Sequence, residues 1–200
     1  MGKPVIYRRA QRGDSRFIAE MIEISSDGIA SIEWAEQAGS DFGQTAIDIG
    51  SRNYANPEGD YSYSNCLIAQ SDEPVGMVLS FAINAQNHSL DAKPPPYDDD
   101  QIYAPYEYLE ALDSWYICGL AVLPDFRHQG IASELLDKAI RLGKRRGYSN
   151  TSLVAMLEKR KLIRFYEKRG FHITRSAPIV EHPSIRARGY AVLMETEPSR

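Results

Sequence analysis

The longest apolar run of this chain, WYICGLAVL at residues 115–123, lies near the middle of the sequence. It is rich in β-forming residues, and its length suits a strand that is buried on both faces. Pro124 and Asp125 end the run, and apolar residues then recur at helical spacing in IASELLDKAIRLG, residues 131–143. The sequence therefore predicts a buried strand, a short turn and a helix.

Weaker patterns on both sides predict further elements. Residues 5–9 fit a short strand, and Asp14 is a plausible N-cap for the amphipathic helix that follows it. Helical periodicity continues over residues 28–54 with a break at Gly39 and Gly43, and the S-D-E-P turn joins a hairpin of residues 66–70 and 75–83. Later segments predict a strand at 151–157, a helix at 159–168 and closing strands at 171–176 and 190–195. This order favours an α/β architecture, which we expect to form one domain over residues 1–200.

Residues 84–113 interrupt this regular order. The segment contains PPPYDDD and IYAPYEYLEAL. Over residues 84–112, Lys93 alone stands against six acidic residues, Asp91, Asp98, Asp99, Asp100, Glu107 and Glu110. The prolines favour extended backbone, so we expect an insertion outside the sheet. It is either a solvated loop, a wall or lid over a cationic acceptor, or a contact with a second copy of the chain in a homodimer.

Composition and charge narrow the function classes. The chain has 43% hydrophobic and 25% charged residues, which is ordinary for a soluble globular protein, and its net charge of −4 does not favour a nucleic-acid partner. Cys66 and Cys118 lie in apolar runs, which indicates two buried free thiols rather than a disulfide. Because no apolar run approaches the length of a membrane span and the N-terminus lacks a signal-like segment, we expect a cytoplasmic protein with no membrane partner.

The turn after the predicted central strand has the features of a phosphate-binding loop. The first N–H groups of a helix have no internal partner, and the helix dipole adds partial positive charge there. Gly130 and Ala132 would allow phosphate oxygens to approach the backbone, and Arg127 supplies a permanent charge. Neither G-x-x-x-x-G-K-S/T nor G-x-G-x-x-G occurs in the chain, so a P-loop and a dinucleotide fingerprint are excluded.

The remaining pattern, R-x-x-G-x-A at residues 127–132 after a strand ending in V-L-P, resembles the coenzyme A loop of the GNAT superfamily of acyl-CoA-dependent N-acyltransferases. A second motif of that superfamily, RFYEKRGF at residues 164–171, follows. The resemblance implies an α/β GNAT fold, whose central mixed and mostly antiparallel sheet is splayed at its middle parallel pair and flanked by helices. It also implies acetyl-CoA as co-substrate and no metal. The residues implied to bind it are Leu120, Ala121 and Val122 for the pantetheine arm, and Arg127, His128, Gln129, Gly130, Ile131, Ala132 and Ser133 for the pyrophosphate.

The same resemblance suggests catalytic residues. Tyr166 in RFYEKRGF occupies the position that donates a proton to the coenzyme A sulfur in many relatives, although a packed helix aromatic is the alternative. Many relatives carry a glutamate base on the central strand where this chain has Tyr116, so the base is Tyr116, Asp113, Glu110 or a chain of waters. Lys159 and Leu162 also depart from the family pattern.

The function implied is an N-acetyltransferase that acts on the primary amine of a small molecule or a peptide. The alternative is a non-catalytic acyl-CoA-binding module that senses or scaffolds. In the superfamily the hinge between the first helices commonly borders the acceptor. The aromatic and acidic residues of this hinge could therefore face a substrate. The alternative is a solvated face with one packed tryptophan. The residues concerned are Glu33, Trp34, Glu36, Asp41 and Phe42.

Overall fold

Seven strands form one mixed sheet in the computed structural model, which describes residues 4–39, 43–84 and 93–197. The strands are β1 (Ile6–Arg9), β2 (Cys66–Gln70), β3 (Pro74–Ile83), β4 (Ser114–Val122), β5 (Thr151–Met156), β6 (Phe171–Pro178) and β7 (Tyr190–Thr196). Their order in the sheet is β1-β2-β3-β4-β5-β7-β6. Strands β4 and β5 pair in parallel, whereas the pairs β1–β2, β2–β3, β5–β7 and β6–β7 are antiparallel. The predicted mixed sheet with a parallel pair at its middle is confirmed.

Six helices flank this sheet within the described ranges. They are α1 (Ser15–Ser25), α2 (Ile29–Ala38), α3 (Ala46–Tyr54), α4 (Ala104–Tyr108), α5 (Ile131–Arg145) and α6 (Arg160–Glu167). The sequence predicted five of them. Helix α4 was not predicted, because the insertion that contains it was expected only to lie outside the sheet. None of the described helices has the length and apolarity needed to cross a membrane.

The chain divides into two compact units, and strand β4 contributes to both. The first consists of Met1–Ser80 and Cys118–Arg141, and the second of Phe81–Ile117 and Leu142–Arg200. In the first unit, the apolar face of α1 packs so closely on β4 that a Cβ atom added at Gly119 would lie 2.4 Å from Ile22 Cδ1. Likewise, a Cβ atom at Gly76 would lie 3.0 Å from the Ala121 carbonyl oxygen. These glycines allow the helix and the neighbouring strand to approach the β4 backbone.

Trp34 belongs to this core, so the hypothesis that it faces a substrate is wrong. Its side chain is 4% exposed, meets Tyr54 edge to face with 6.2 Å between ring centroids, and lies against Gly50 of α3. The packed tryptophan of the alternative is confirmed, whereas Glu33 and Glu36 are exposed and their role toward a substrate stays a prediction. Asp41 and Phe42 lie outside the described residues.

Two further predictions need correction. Asp14 occupies the N-cap position of α1, but its side chain does not cap the helix. Its carboxylate instead accepts hydrogen bonds of 2.7 and 2.8 Å from Arg8 and one of 2.7 Å from the Gln11 N–H, and the bond from Arg8 lowers the pKa of Asp14. Both cysteines are free, as predicted, yet burial holds for Cys66 alone, because Cys118 is half-buried.

In the second unit, a hydroxyl pair and a tryptophan fix the start of β4. Ser114 Oγ lies 2.6 Å from Ser152 Oγ on β5, and both residues are fully buried. The backbone N–H of Trp115 donates to the Asn150 carbonyl oxygen at 2.9 Å. The Trp115 ring packs directly on Gly143 of α5, where an added Cβ atom would lie 2.4 Å from Trp115 Cγ.

This contact predicts an unusual response to alanine at Gly143. Alanine in a helix interior normally stabilises by about 1 kcal/mol relative to glycine, but overpacking a tight contact costs about 1–3 kcal/mol. We therefore expect Gly143→Ala to lower the free energy of unfolding in urea by about 1–2 kcal/mol. Gly13→Ala is the control, since no atom lies within 4 Å of its added Cβ, and it should change stability by less than about 0.5 kcal/mol. A Gly143→Ala protein as stable as wild type would contradict the packing described here.

Candidate active site

The end of β4 leads into helix α5 through a short, well-defined turn. The Leu123 N–H donates to the Val75 carbonyl oxygen at 2.9 Å, which ties the end of β4 to β3. A single 3₁₀ turn over Pro124–Phe126 follows, and α5 begins at Ile131. The predicted strand, turn and helix are confirmed.

The backbone of this turn leaves N–H groups available at the start of α5. Gly130 has a φ of 83°, in the left-handed region, and open space surrounds the position of its missing Cβ. The first hydrogen bond of the helix runs from the Glu134 N–H to the Gly130 carbonyl oxygen at 3.1 Å. The N–H groups of Ile131, Ala132 and Ser133 precede that bond and therefore have no acceptor within the helix. An anion can dock against such a helix start.

The side chains of the turn are exposed and partly held by backbone oxygens. Arg127 Nε donates to the Val122 carbonyl oxygen at 3.0 Å, which orients the guanidinium group and leaves its terminal nitrogens exposed. Gln129 Nε2 donates to the Asp125 carbonyl oxygen at 3.2 Å. His128 adopts a left-handed φ of 62° and is also exposed.

The structure brings all ten predicted coenzyme A-binding residues together in the first unit. Leu120, Ala121 and Val122 are the last three residues of β4, and the other seven follow in the turn and the first turn of α5.

Tyr166, the predicted proton donor, lies in the second unit on the buried face of α6. Its side chain is 6% exposed, and its ring packs edge to face on Phe165 and Phe171, with centroids 5.2 and 5.8 Å away. Burial raises the pKa of Tyr166 above the ordinary tyrosine value, and Arg169 lowers it by a smaller amount. The phenol therefore keeps its proton at neutral pH, as a general acid requires.

The residues considered for the base have different environments in the same unit. Tyr116 is half-buried on β4, opposite Ser152 in register, and its ring meets Phe81 at 5.6 Å. Asp113 precedes β4, is exposed and has a left-handed φ of 56°. Glu110 is half-buried, and its backbone carbonyl accepts a hydrogen bond from Arg175. Among the described residues, no group of three or more His, Cys, Asp or Glu side chains could hold a metal ion.

Arg175 on β6 anchors the insertion, and sequence reasoning did not identify it. Its guanidinium donates to the carbonyl oxygens of Tyr108 at 2.8 Å and Glu110 at 2.6 Å, and it lies 5.4 Å from the centroid of the Tyr108 ring. The described part of the insertion forms no strand, as expected, and Asp98, Asp99 and Asp100 are exposed. Asp91 lies outside the described residues.

Comparison with known proteins identifies the fold. The family model described as "Acetyltransferase (GNAT) family" matches residues 29–171 of the chain. A solved acetyltransferase is 20% identical and has a TM-score of 0.65, over 97% of this chain and 100% of that one. The ribosomal-protein-S18-alanine N-acetyltransferase from Escherichia coli is 15% identical, with a TM-score of 0.58 over 98% and 96% of the two chains. A chain of the NatC complex bound to Gag peptide and CoA is 17% identical, with a TM-score of 0.57 over 98% and 99%. No curated protein matches the sequence.

The contacts of Arg175 predict how the insertion depends on it. Arg175→Lys keeps the charge but cannot bond both carbonyl oxygens in the same planar geometry. Since a hydrogen bond from a charged group contributes about 1.5–3 kcal/mol, amide hydrogen exchange in α4 should become about tenfold faster or more. Arg160→Lys is the control, because Arg160 is exposed and forms no side-chain ion pair with a described residue. Unchanged exchange in α4 of the Arg175→Lys protein would refute the anchoring role.

Proposed function

Because this chain belongs to the acetyltransferase (GNAT) family, we propose that it transfers the acetyl group of acetyl-CoA to a primary amine. The observation that carries the proposal is the turn before α5, where the left-handed Gly130 and the N–H groups of Ile131, Ala132 and Ser133 form an anion-binding backbone. The presence of CoA in the solved NatC complex supports coenzyme A as the ligand.

The proposed binding mode divides the ligand between strand and turn. The pyrophosphate binds the backbone of residues 128–133, and the exposed nitrogens of Arg127 add charge-assisted hydrogen bonds to phosphate oxygens. The pantetheine arm binds the backbone of Leu120, Ala121 and Val122, at the end of β4. Because Val122 already holds Arg127 through its carbonyl oxygen, the guanidinium is oriented before the ligand arrives.

The proposed reaction is a direct attack without an acyl-enzyme. The neutral amine nitrogen attacks the thioester carbonyl carbon, a C–N bond forms, and a backbone N–H near Leu120 stabilises the oxyanion of the tetrahedral intermediate. The C–S bond then breaks, and Tyr166 gives its proton to the departing sulfur, which leaves as the thiol of coenzyme A. The surplus proton of the amine passes to a base, for which Asp113, Glu110, Tyr116 and a chain of waters are the candidates.

Tyr166 favours this enzyme over a module that only binds acyl-CoA, since burial raises its pKa and keeps the phenol protonated, as a proton donor requires. A peptide or small-molecule amine is the proposed acceptor, and the peptide in the NatC complex supports the first. Three exposed aspartates, Asp98, Asp99 and Asp100, favour a cationic acceptor. The deciding experiment is a screen of amines and peptides with acetyl-CoA, read by release of the coenzyme A thiol. An absence of acetylated product for every acceptor would favour the binding module.

Gly130 provides a test of the anion-binding turn. Gly130→Asp and Gly130→Asn introduce side chains of nearly the same shape at the same left-handed backbone, so they differ mainly in charge. A carboxylate beside the pyrophosphate should weaken coenzyme A binding by about 100-fold or more in calorimetry, since like charges in close contact cost several kcal/mol. The asparagine variant should bind at least about tenfold more tightly than the aspartate variant, because asparagine tolerates this backbone and adds no charge. Equal affinities for the folded Asp variant and wild type would exclude the turn as the pyrophosphate site.

Tyr166→Phe tests the general acid, because it retains the ring and removes the proton donor. Turnover should fall by about 10²-fold, within the usual range for general acid catalysis, while coenzyme A affinity stays unchanged. Tyr190→Phe removes the same atom from an exposed tyrosine and is the control.

The raised pKa adds a pH criterion for the same residue. The proton donor is present below the folded-state pKa and is lost as the pH rises through it. Loss of the Tyr166 proton should therefore not reduce wild-type turnover between pH 7 and about 10. If the Tyr166→Phe protein kept full turnover under conditions where the chemical step limits the rate, Tyr166 would be excluded as the general acid.

A further inference from the structure

A cavity of about 410 Å³ opens in the first unit, away in sequence from the turn before α5. It is lined by Arg12, Arg52, Ala55, Asn56, Pro57 and Tyr63. Arg12 belongs to the 3₁₀ turn after β1, Arg52 to the last turn of α3, and Tyr63 to the 3₁₀ turn before β2. Segments that are separate in the sequence therefore contribute the groups that line this cavity.

The charged groups of the cavity are two guanidinium groups, and no carboxylate of the described residues pairs with either of them. Arg52 donates to the neutral Gln44 side chain, and neither Arg52 nor Arg12 forms an ion pair with a described residue. Arg52 offsets the partial negative charge at the C-terminal end of α3. Arg12 comes from a different element and has no carboxylate partner among the residues that the structure describes.

Two nearby carboxylates are already engaged by other arginines. Asp14 pairs with Arg8, and Asp48 pairs with Arg16 at 2.7 Å. Hydrogen bonds from Thr45, together with Arg16, lower the pKa of Asp48 to about 2, so this carboxylate stays ionised in those contacts. Arg8 and Arg16 thus have carboxylate partners, whereas Arg12 and Arg52, which face the cavity, have none among the described residues.

The neutral polar groups of the cavity also leave donors rather than acceptors. Asn56 Oδ1 accepts the Glu58 N–H at 3.2 Å, so the amide NH₂ is the end of that side chain that remains to donate. The carbonyl oxygen of Asn56 accepts from Ser62 Oγ at 2.7 Å, and that of Pro57 accepts from Ser64 Oγ at 3.2 Å. Tyr63 adds a hydroxyl and, with Ala55 and Pro57, apolar surface.

We propose that this cavity binds a small organic oxyanion, whose phosphate or carboxylate group contacts Arg12 and Arg52. Guanidinium groups bind both oxyanions with paired, charge-assisted hydrogen bonds. The cavity is larger than a bare phosphate or carboxylate group, so an organic ring or short chain attached to that group fits beside Tyr63 and Pro57. Because both arginines are exposed, the binding is of modest affinity and weakens as salt is added.

Phenyl phosphate and benzoate are suitable probes, since they present the two oxyanions on the same ring. Each is titrated into the full chain by calorimetry with coenzyme A at saturation, so that the turn before α5 is occupied. We expect one probe site per chain, and the tighter of the two probes identifies the oxyanion. In Arg12→Gln/Arg52→Gln the dissociation constant should rise by about tenfold or more.

The matched control is Arg145→Gln/Arg160→Gln, which removes the same charge from exposed arginines outside the cavity. Its affinity for the probe should stay within about twofold of wild type. The proposal is overturned if neither probe binds at about 10 mM, if the cavity variant binds as tightly as wild type, or if the control pair loses as much affinity. Coenzyme A affinity, measured separately on each protein, reports on the proposed acetyltransferase site and not on this cavity.

Discussion

The parallel pairing of β4 with β5 positions the start of β4, and the residues considered for the base lie there. The register joins Trp115, Tyr116 and Ile117 to Thr151, Ser152 and Leu153, although β4 continues to Val122 and β5 to Met156. The buried hydroxyl pair of Ser114 and Ser152 adds a side-chain hydrogen bond beside these backbone pairs. The Ser114–Ser152 pair holds the first residue of β4, which lies between Asp113 and Tyr116.

Strand β4 also determines where the anion-binding turn begins. The strand has residues in both units, and its last residue, Val122, holds Arg127 by a backbone oxygen. The glycines near it have two different physical roles. Gly119 and Gly143 are required because neighbouring atoms would lie 2.4 Å from an added Cβ. Gly130 is surrounded by open space and is required for its left-handed backbone, so only this glycine leaves room for a ligand.

Features that depend on neighbouring residues could be predicted from the sequence, whereas contacts between residues far apart in the chain could not. The central strand, the turn and helix α5 are contiguous, so their apolar periodicity and the R-x-x-G-x-A motif carry the information locally. The anchoring by Arg175 joins residues 67 and 65 positions apart, and a single arginine in a strand has no pattern that indicates such partners. The position of β7 between β5 and β6 is nonlocal in the same way. The sequence left Trp34 open between a substrate-facing and a packed side chain, because the α3 residues that cover it, Gly50 and Tyr54, follow a break in helical periodicity.

The environments of the two tyrosines bear on the proposed proton transfers. Burial among aromatic rings raises the pKa of Tyr166, so its phenol is protonated at neutral pH, as a general acid must be. A phenol is a poor base at neutral pH even without burial, since an ordinary tyrosine pKa near 10 leaves almost no tyrosinate.

Acid and base roles are usually separated by environments that move their pKa values apart. Under the proposed mechanism, the amine proton therefore leaves through a carboxylate or water rather than through Tyr116. Asp113 fits that route because it is exposed directly before β4, so a proton that reaches it passes on to bulk solvent.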